Sequence, residues 1–242
     1  MRNLLIAAAA IIAVAAPGVA AAQTGYVGAV YANTDVDGAG SADAYGIEGA
    51  IAFDTGSSLT LELDAALLDS DDSDAAGAIA AHLFSRNDRY LFGGFVALAD
   101  SDDSTTWEAG VEANKYYDRW TLAGSLSYAN NDDADVDGVA ANVQARFFPQ
   151  DNLRLQANLG YANLDGPGGS ADGWLYGVGA EYQFASVPIS VGANYTRTDL
   201  DGGFEADTVG VTVRYNWGGT LFDRDRNGAS QAGLSAVGSL LR

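Results

Sequence analysis

The stretch Thr208-Val209-Gly210-Val211-Thr212-Val213-Arg214-Tyr215-Asn216-Trp217 decides the fold class. Its odd positions are Val209, Val211, Val213, Tyr215 and Trp217. Its even positions are Thr208, Gly210, Thr212, Arg214 and Asn216. Successive side chains of a strand point to opposite faces, so this run has one apolar and one polar face. The scheme recurs upstream. Ile47, Ile51 and Phe53 alternate with Glu48 and alanines, and Leu59, Leu61 and Leu63 alternate with Thr60, Glu62 and Asp64. Leu153, Leu155 and Leu159 alternate with Arg154, Gln156 and Asn158.

Working outward gives twelve strands, at 25–33, 44–54, 58–68, 76–85, 90–99, 106–116, 120–129, 138–148, 153–163, 174–184, 189–197 and 207–217. Strands one, four and five are rich in Ala and Gly, and their facing is ambiguous. The connections alternate. Asp54–Ser57, Arg86–Arg89, Tyr117–Arg119, Pro149–Asn152 and Ala185–Pro188 are tight. Thr34–Asp43, Asp69–Ala75, Asp100–Thr105, Asn130–Asp137, Leu164–Gly173 and Thr198–Ala206 are longer. Short turns at one end and longer loops at the other are the pattern of a membrane barrel. Strands of nine to eleven residues suffice to cross hydrocarbon when tilted.

Aromatics cluster near both strand ends. Tyr45, Trp107, Tyr128, Tyr161, Trp174 and Tyr195 lie toward the longer loops. Phe53, Tyr90, Trp120, Phe147, Tyr182, Phe184, Tyr215 and Trp217 lie toward the tight turns. Two such girdles match the preference of these rings for the two membrane interfaces. In hydrocarbon every backbone polar group needs a partner, so the sheet must close. The fold class is therefore an all-β, antiparallel up-and-down transmembrane barrel of about twelve strands. A soluble sandwich or barrel is the rival, since alternation does not say which face points inward.

The rest of the chain sets the bounds. Residues 1–22 read as a cleaved signal peptide: Arg2, an apolar run from Leu4 to Ala16, Pro17-Gly18, and Ala20-Ala21-Ala22 before Gln23. The barrel then spans 23–217, and 218–242 form a periplasmic tail. In that tail Leu234, Val237 and Leu241 recur at helical spacing, as in a short amphipathic helix. There are no cysteines, which excludes disulfides and thiolate chemistry. The formal charge is −20, which repels nucleic acid. With 48% hydrophobic residues the acidity does not signal disorder and must be segregated.

The signal peptide, the alternating strands and the aromatic-ended run 208–217 resemble the small porin-like outer-membrane barrels of Gram-negative bacteria. The resemblance covers 25–217 and is one of pattern, with no unique motif. It implies a place in the cell outer membrane, contact with its lipids and lipopolysaccharide, and recognition of the last strand by the barrel-assembly machinery. In that class the aromatic-ended strand usually closes the chain; here 25 residues follow Trp217.

The polar strand face supplies the pore candidates: Glu48, Glu62, Asp64, Glu108, Glu112 and Glu181 among the acids, and Arg146, Arg154 and Arg214 among the bases. Acids on strands two, three, six and ten would face arginines on eight, nine and twelve, giving a transverse field. The expected function is passive diffusion of ions and small hydrophilic solutes, leaning to cations. The alternative is a non-conducting structural or surface-interaction barrel. The longer loops are rich in aspartate, and hard oxygen donors suit Ca²⁺ or Mg²⁺. The metal candidates are Asp71, Asp72, Asp102, Asp103, Asp133 and Asp135; otherwise no cofactor is expected. Asp223-Arg224-Asp225-Arg226-Asn227-Gly228 opens like a calcium loop but has Leu234 where a glutamate is needed. His82 and Ser85 alternate to opposite faces, so a histidine–serine hydrolase is not expected.

Overall fold

The structure, a computed structural model, describes residues 24–55, 58–70, 75–101 and 104–234. The signal-peptide reading at 1–22 lies outside the described residues. Twelve strands follow in chain order: β1 (Thr24–Val36), β2 (Gly40–Asp54), β3 (Leu59–Ser70), β4 (Ala76–Arg86), β5 (Tyr90–Ser101) and β6 (Ser104–Tyr116). Then come β7 (Trp120–Asn131), β8 (Val136–Gln150), β9 (Leu153–Gly166), β10 (Gly169–Gln183), β11 (Ile189–Leu200) and β12 (Phe204–Trp217). Each pairs antiparallel with its sequence neighbours, and β1 pairs with β12 from Gly25–Trp217 to Val36–Ala206, closing the barrel. A helix, α1 (Leu221–Asn227), follows β12.

The alternation becomes two environments. Phe92, Val96, Val111, Leu126, Val178 and Val209 stand exposed on the outer surface, while Glu48, Glu62, His82, Glu112, Arg146 and Glu181 are buried inside. The apolar face points outward, as a lipid-facing belt requires. Aromatic rings meet at each margin. Trp107 meets Tyr128 and Tyr161 meets Trp174 at one end; Trp120 meets Phe147 and Tyr182 meets Phe184 at the other. On β7, Trp120 and Tyr128 are eight residues apart. At about 3.4 Å per residue and a tilt of ~40°, they mark a belt about 21 Å tall, close to the thickness of an outer-membrane barrel's apolar band.

One expectation is corrected. Four of the six longer loops are mostly strand. Val36 pairs with Gly40, Gly166 with Gly169, Ser101 with Ser104 and Leu200 with Phe204, so only short tips connect them. The strands run on for 11 to 15 residues, past what the hydrocarbon needs. Outside the lipid these extensions are held by side-chain ladders. Tyr31 donates to Asp43 (2.9 Å), Asn33 to Asp43 (2.7 Å), Asn163 to Asp172 (2.6 Å) and Tyr195 to Asp207 (2.5 Å). Asp43 and Asp172, read as loop residues, thus join Asp207 in a rim of acceptors on a protruding barrel wall.

The outward belt carries a direct test. Replacing Leu126 by Arg places a charge on the lipid face near mid-belt. We expect a loss of about 2–4 kcal/mol in folding stability in lipid, read by reversible denaturant unfolding. A loss below ~0.5 kcal/mol, ordinary for a surface site in water, would contradict the membrane placement.

Candidate functional site

The lumen is where the inward polar residues meet, and the segment after β12 enters it. Gly218 and Gly219, at φ +87° and +125°, turn the chain back beneath the barrel. Only glycine adopts such angles without strain. Thr220 caps α1: its hydroxyl accepts from Asp223 N–H, while the Asp223 carboxylate accepts from Thr220 N–H. Phe222 packs edge-on against Phe148, and the Arg119 and Arg226 guanidinium groups lie over its ring. After α1 the chain runs up the lumen to Leu234. Gly228 passes so close to Thr24 that a Cβ there would stand 1.8 Å from its hydroxyl.

This tail meets each wall with the complementary group. Toward the basic wall it offers Asp225, which takes Arg146 (2.8 Å) and the Thr121 hydroxyl (2.6 Å). Toward the acidic wall it offers backbone donors. Glu62 accepts from the N–H groups of Ser230, Gln231 and Ala232 at 2.9, 2.9 and 3.0 Å. Arg86 donates to the Gly228 carbonyl and the Ser230 hydroxyl, and Ser125 donates to the Leu234 carbonyl. A charged acceptor buried against three amides makes strong, mutually reinforcing bonds.

The remaining candidates fall into two clusters. In the first, His82 on β4 sits between Asp64 (Nε2, 3.0 Å) and Glu112 (Nδ1, 2.9 Å) and stacks on Phe95. In the second, Glu181 on β10 receives Arg154 from β9 (2.8 Å), Arg214 from β12 (2.8 Å), Arg224 from α1 (3.3 Å) and the Ser190 hydroxyl (2.6 Å). Arg214 also donates to Glu48 at 2.6 Å. Glu108 is buried on β6. Glu181 of β10 sits among the arginines of β9 and β12, and Glu48 of β2 pairs with Arg214 of β12, so on this side the acids and bases interleave rather than standing on opposed walls. Burial of this kind is sustained only when each charge finds a partner.

Several readings change. A helix not expected from the sequence lies at 221–227; of the residues read as a short amphipathic helix only Leu234 is described, and Val237 and Leu241 lie outside the described residues. The calcium-like stretch is that helix: Asp223 caps it and Asp225 binds Arg146, so its oxygens do not converge. Asp71, Asp72, Asp102 and Asp103 also lie outside the described residues. Asp133 accepts from Thr105 N–H, and Asp135 occupies a left-handed turn at φ 51°. Among the described residues no three acidic or histidine side chains gather as an ion site. Arg224, Asp225, Thr121, Ser190 and His82 were missed as lumenal partners. The alternating charges of 223–226 were the signal that could have found the first two: such a run fits a wall carrying both signs.

A closed twelve-strand barrel with an apolar outer belt and a charged, tail-occupied lumen defines an integral outer-membrane β-barrel of porin-like build. The sequence profile of the outer membrane protein beta-barrel domain matches residues 92–216, and the chain belongs to that family. No curated protein matches. Among solved structures, it is similar to an outer membrane channel from Pseudomonas putida F1 (TM-score 0.60, 13% identity, covering 81% of this chain and 95% of that one). It is similar to the KdgM porin in complex with disordered oligogalacturonate (TM-score 0.57, 10% identity, 79% and 99%). It is also similar to the translocator domain of the autotransporter NalP from Neisseria meningitidis (TM-score 0.50, 12% identity, 89% and 95%). At these identities the likeness is one of fold.

Proposed function

We propose that the protein is an outer-membrane channel for small hydrophilic solutes whose lumen is occluded at its short-turn, periplasmic end by its own tail. The observation that carries this is the polar lumen. Much of what obstructs it along β8–β12 is a segment outside the barrel wall, attached by hydrogen bonds and ion pairs. Barrel closure rests on β1 and β12 and does not involve that segment. A structural barrel has no need of a lumen whose plug is separable from its wall. Barrels of eight strands are filled by wall side chains and those of sixteen or more leave a passage; twelve lies between, so the seating of the tail bears on whether the lumen conducts.

The acid-rich arc is occupied by the tail and by His82. The lean toward cations expected from the number of lumenal acids is therefore not carried into this proposal. Planar-bilayer recording tests it on the full chain alongside a chain ending at Gly219. The expected result is stepwise conductance from the shortened chain. Silence from both at high protein load removes the channel and leaves the non-conducting barrel.

A further inference from the structure

The two halves of the lumen are built differently. Beneath β3–β6 the interior is filled by Phe84, Leu91, Phe95, His82 and Tyr116. Along β8–β12 lies a cleft of about 130 Å³, with Ala229–Leu234 of the tail along it. Its wall is a carpet of amides and hydroxyls laid over glycine. A Cβ on Gly160 would stand 2.6 Å from Asn142 Oδ1, and one on Gly210 2.6 Å from Asn194 Oδ1. One on Gly192 would stand 2.6 Å from Thr212 Oγ1, and one on Gly177 3.0 Å from both Asn158 Oδ1 and Thr196 Oγ1. All five polar side chains line the cleft, each lying across bare backbone of a neighbouring strand. Glycine inside a strand weakens it and marks a place of close approach. Four such positions on one wall let these amide and hydroxyl side chains lie flat against the backbone, where they line the cleft.

The cleft also has a charged side. Arg154, Arg214 and Arg224 converge on Glu181, and Arg214 reaches Glu48. Three guanidinium groups against two carboxylates leave one positive charge in excess. Arg154 Nε is buried with no hydrogen-bond partner among the described residues. Arginine's fork suits a planar carboxylate, and side-chain amides suit hydroxyls as both donors and acceptors.

We propose that this cleft is a binding subsite for a small polyhydroxylated carboxylate, of the sugar-acid class. Its carboxylate meets Arg154, and its hydroxyls lie across Asn142, Asn158 and Asn194. The inference deepens the channel reading and rests on it for the solute's route. The acidic rim does not forbid it. Asp207 and Arg214 are seven residues apart on β12. That is about 23 Å along the strand, more than two screening lengths at physiological salt.

Calorimetric titration of the full-length protein in detergent, with D-glucuronate, D-glucose, acetate and inorganic phosphate, tests it. Glucuronate is expected to bind at least tenfold more tightly than glucose or acetate, each of which makes only part of the contacts. Arg154→Gln should weaken glucuronate about tenfold, the effect of losing one charge-assisted hydrogen bond. Arg154→Lys should recover part of that loss, and Asn194→Leu should weaken glucuronate while leaving acetate unchanged. Circular dichroism confirms that each variant is folded. Equal binding of acetate or phosphate and glucuronate overturns the proposal, since the site then reads charge alone. So does absence of glucuronate binding, or indifference to Arg154→Gln, in folded protein. Conduction without glucuronate binding removes the subsite and keeps the channel; glucuronate binding by an electrically silent barrel does the reverse.

Discussion

Replacing Glu62 by alanine is expected to release the tail and raise the open fraction of the channel by roughly a hundredfold. The side chain accepts three backbone N–H groups from consecutive tail residues. Hydrogen bonds to a charged group contribute about 1.5–3 kcal/mol each, and the three share one carboxylate, so their joint loss is taken as ~3 kcal/mol. That shifts a seated–released equilibrium by about two orders of magnitude. Alanine has no acceptor, so the tail amides must find water, which further favours release. Glu62→Gln keeps an oxygen and loses the charge, and should fall between wild type and alanine. Asp225→Ala attacks the seat from the opposite wall by removing the partner of Arg146. Single-channel recording reads the open fraction directly. Unchanged gating in both Glu62→Ala and Asp225→Ala would show that the tail does not govern passage.

The second large effect falls on stability. Glu181→Ala leaves Arg154, Arg214 and Arg224 facing one another with Glu48 as the nearest remaining counter-charge. Removing one partner of a buried ionic group costs about 3–5 kcal/mol, because the remaining charges stay desolvated. The cleft beside them admits some water, so about 3 kcal/mol is expected. Denaturant unfolding in lipid, followed by the fluorescence of the tryptophans, measures it. Pairing the change with Arg154→Met should recover part of the loss, since Arg154 has its ion pair with Glu181 whereas Arg214 keeps Glu48. A loss below ~1 kcal/mol would show that lumenal water already screens the arginines.

Much of the barrel was legible residue by residue. β12 is readable because Val209, Val211 and Val213 face lipid while Thr212 and Arg214 face a polar interior, so chemistry alternates with geometry. β4 and β5 were not. Leu83, Phe92 and Val96 face lipid, while Phe84, Leu91 and Phe95 face an internal core. With apolar surroundings on both sides, the period-2 contrast disappears. The rim was misread for a related reason: Gly, Asp and Ser are ordinary turn residues, and only cross-strand partners such as Tyr31 and Asp43 turn them into strand.

Within the site, the sequence identified which residues face inward, because facing is set locally by a two-residue period. From that period came the twelve strands, the apolar belt, the two aromatic girdles and the lumenal Glu48, Glu62, Arg146, Glu181 and Arg214. Which charge meets which is a different kind of fact. Glu48 and Arg214 are 166 positions apart, and Glu62 and Ser230 are 168 apart. Those pairs exist only once β1 meets β12 and the chain doubles back at Gly218-Gly219. The tertiary structure alone decided which wall residues hold the segment 220–234, because no local propensity of that segment refers to a wall built from residues far upstream.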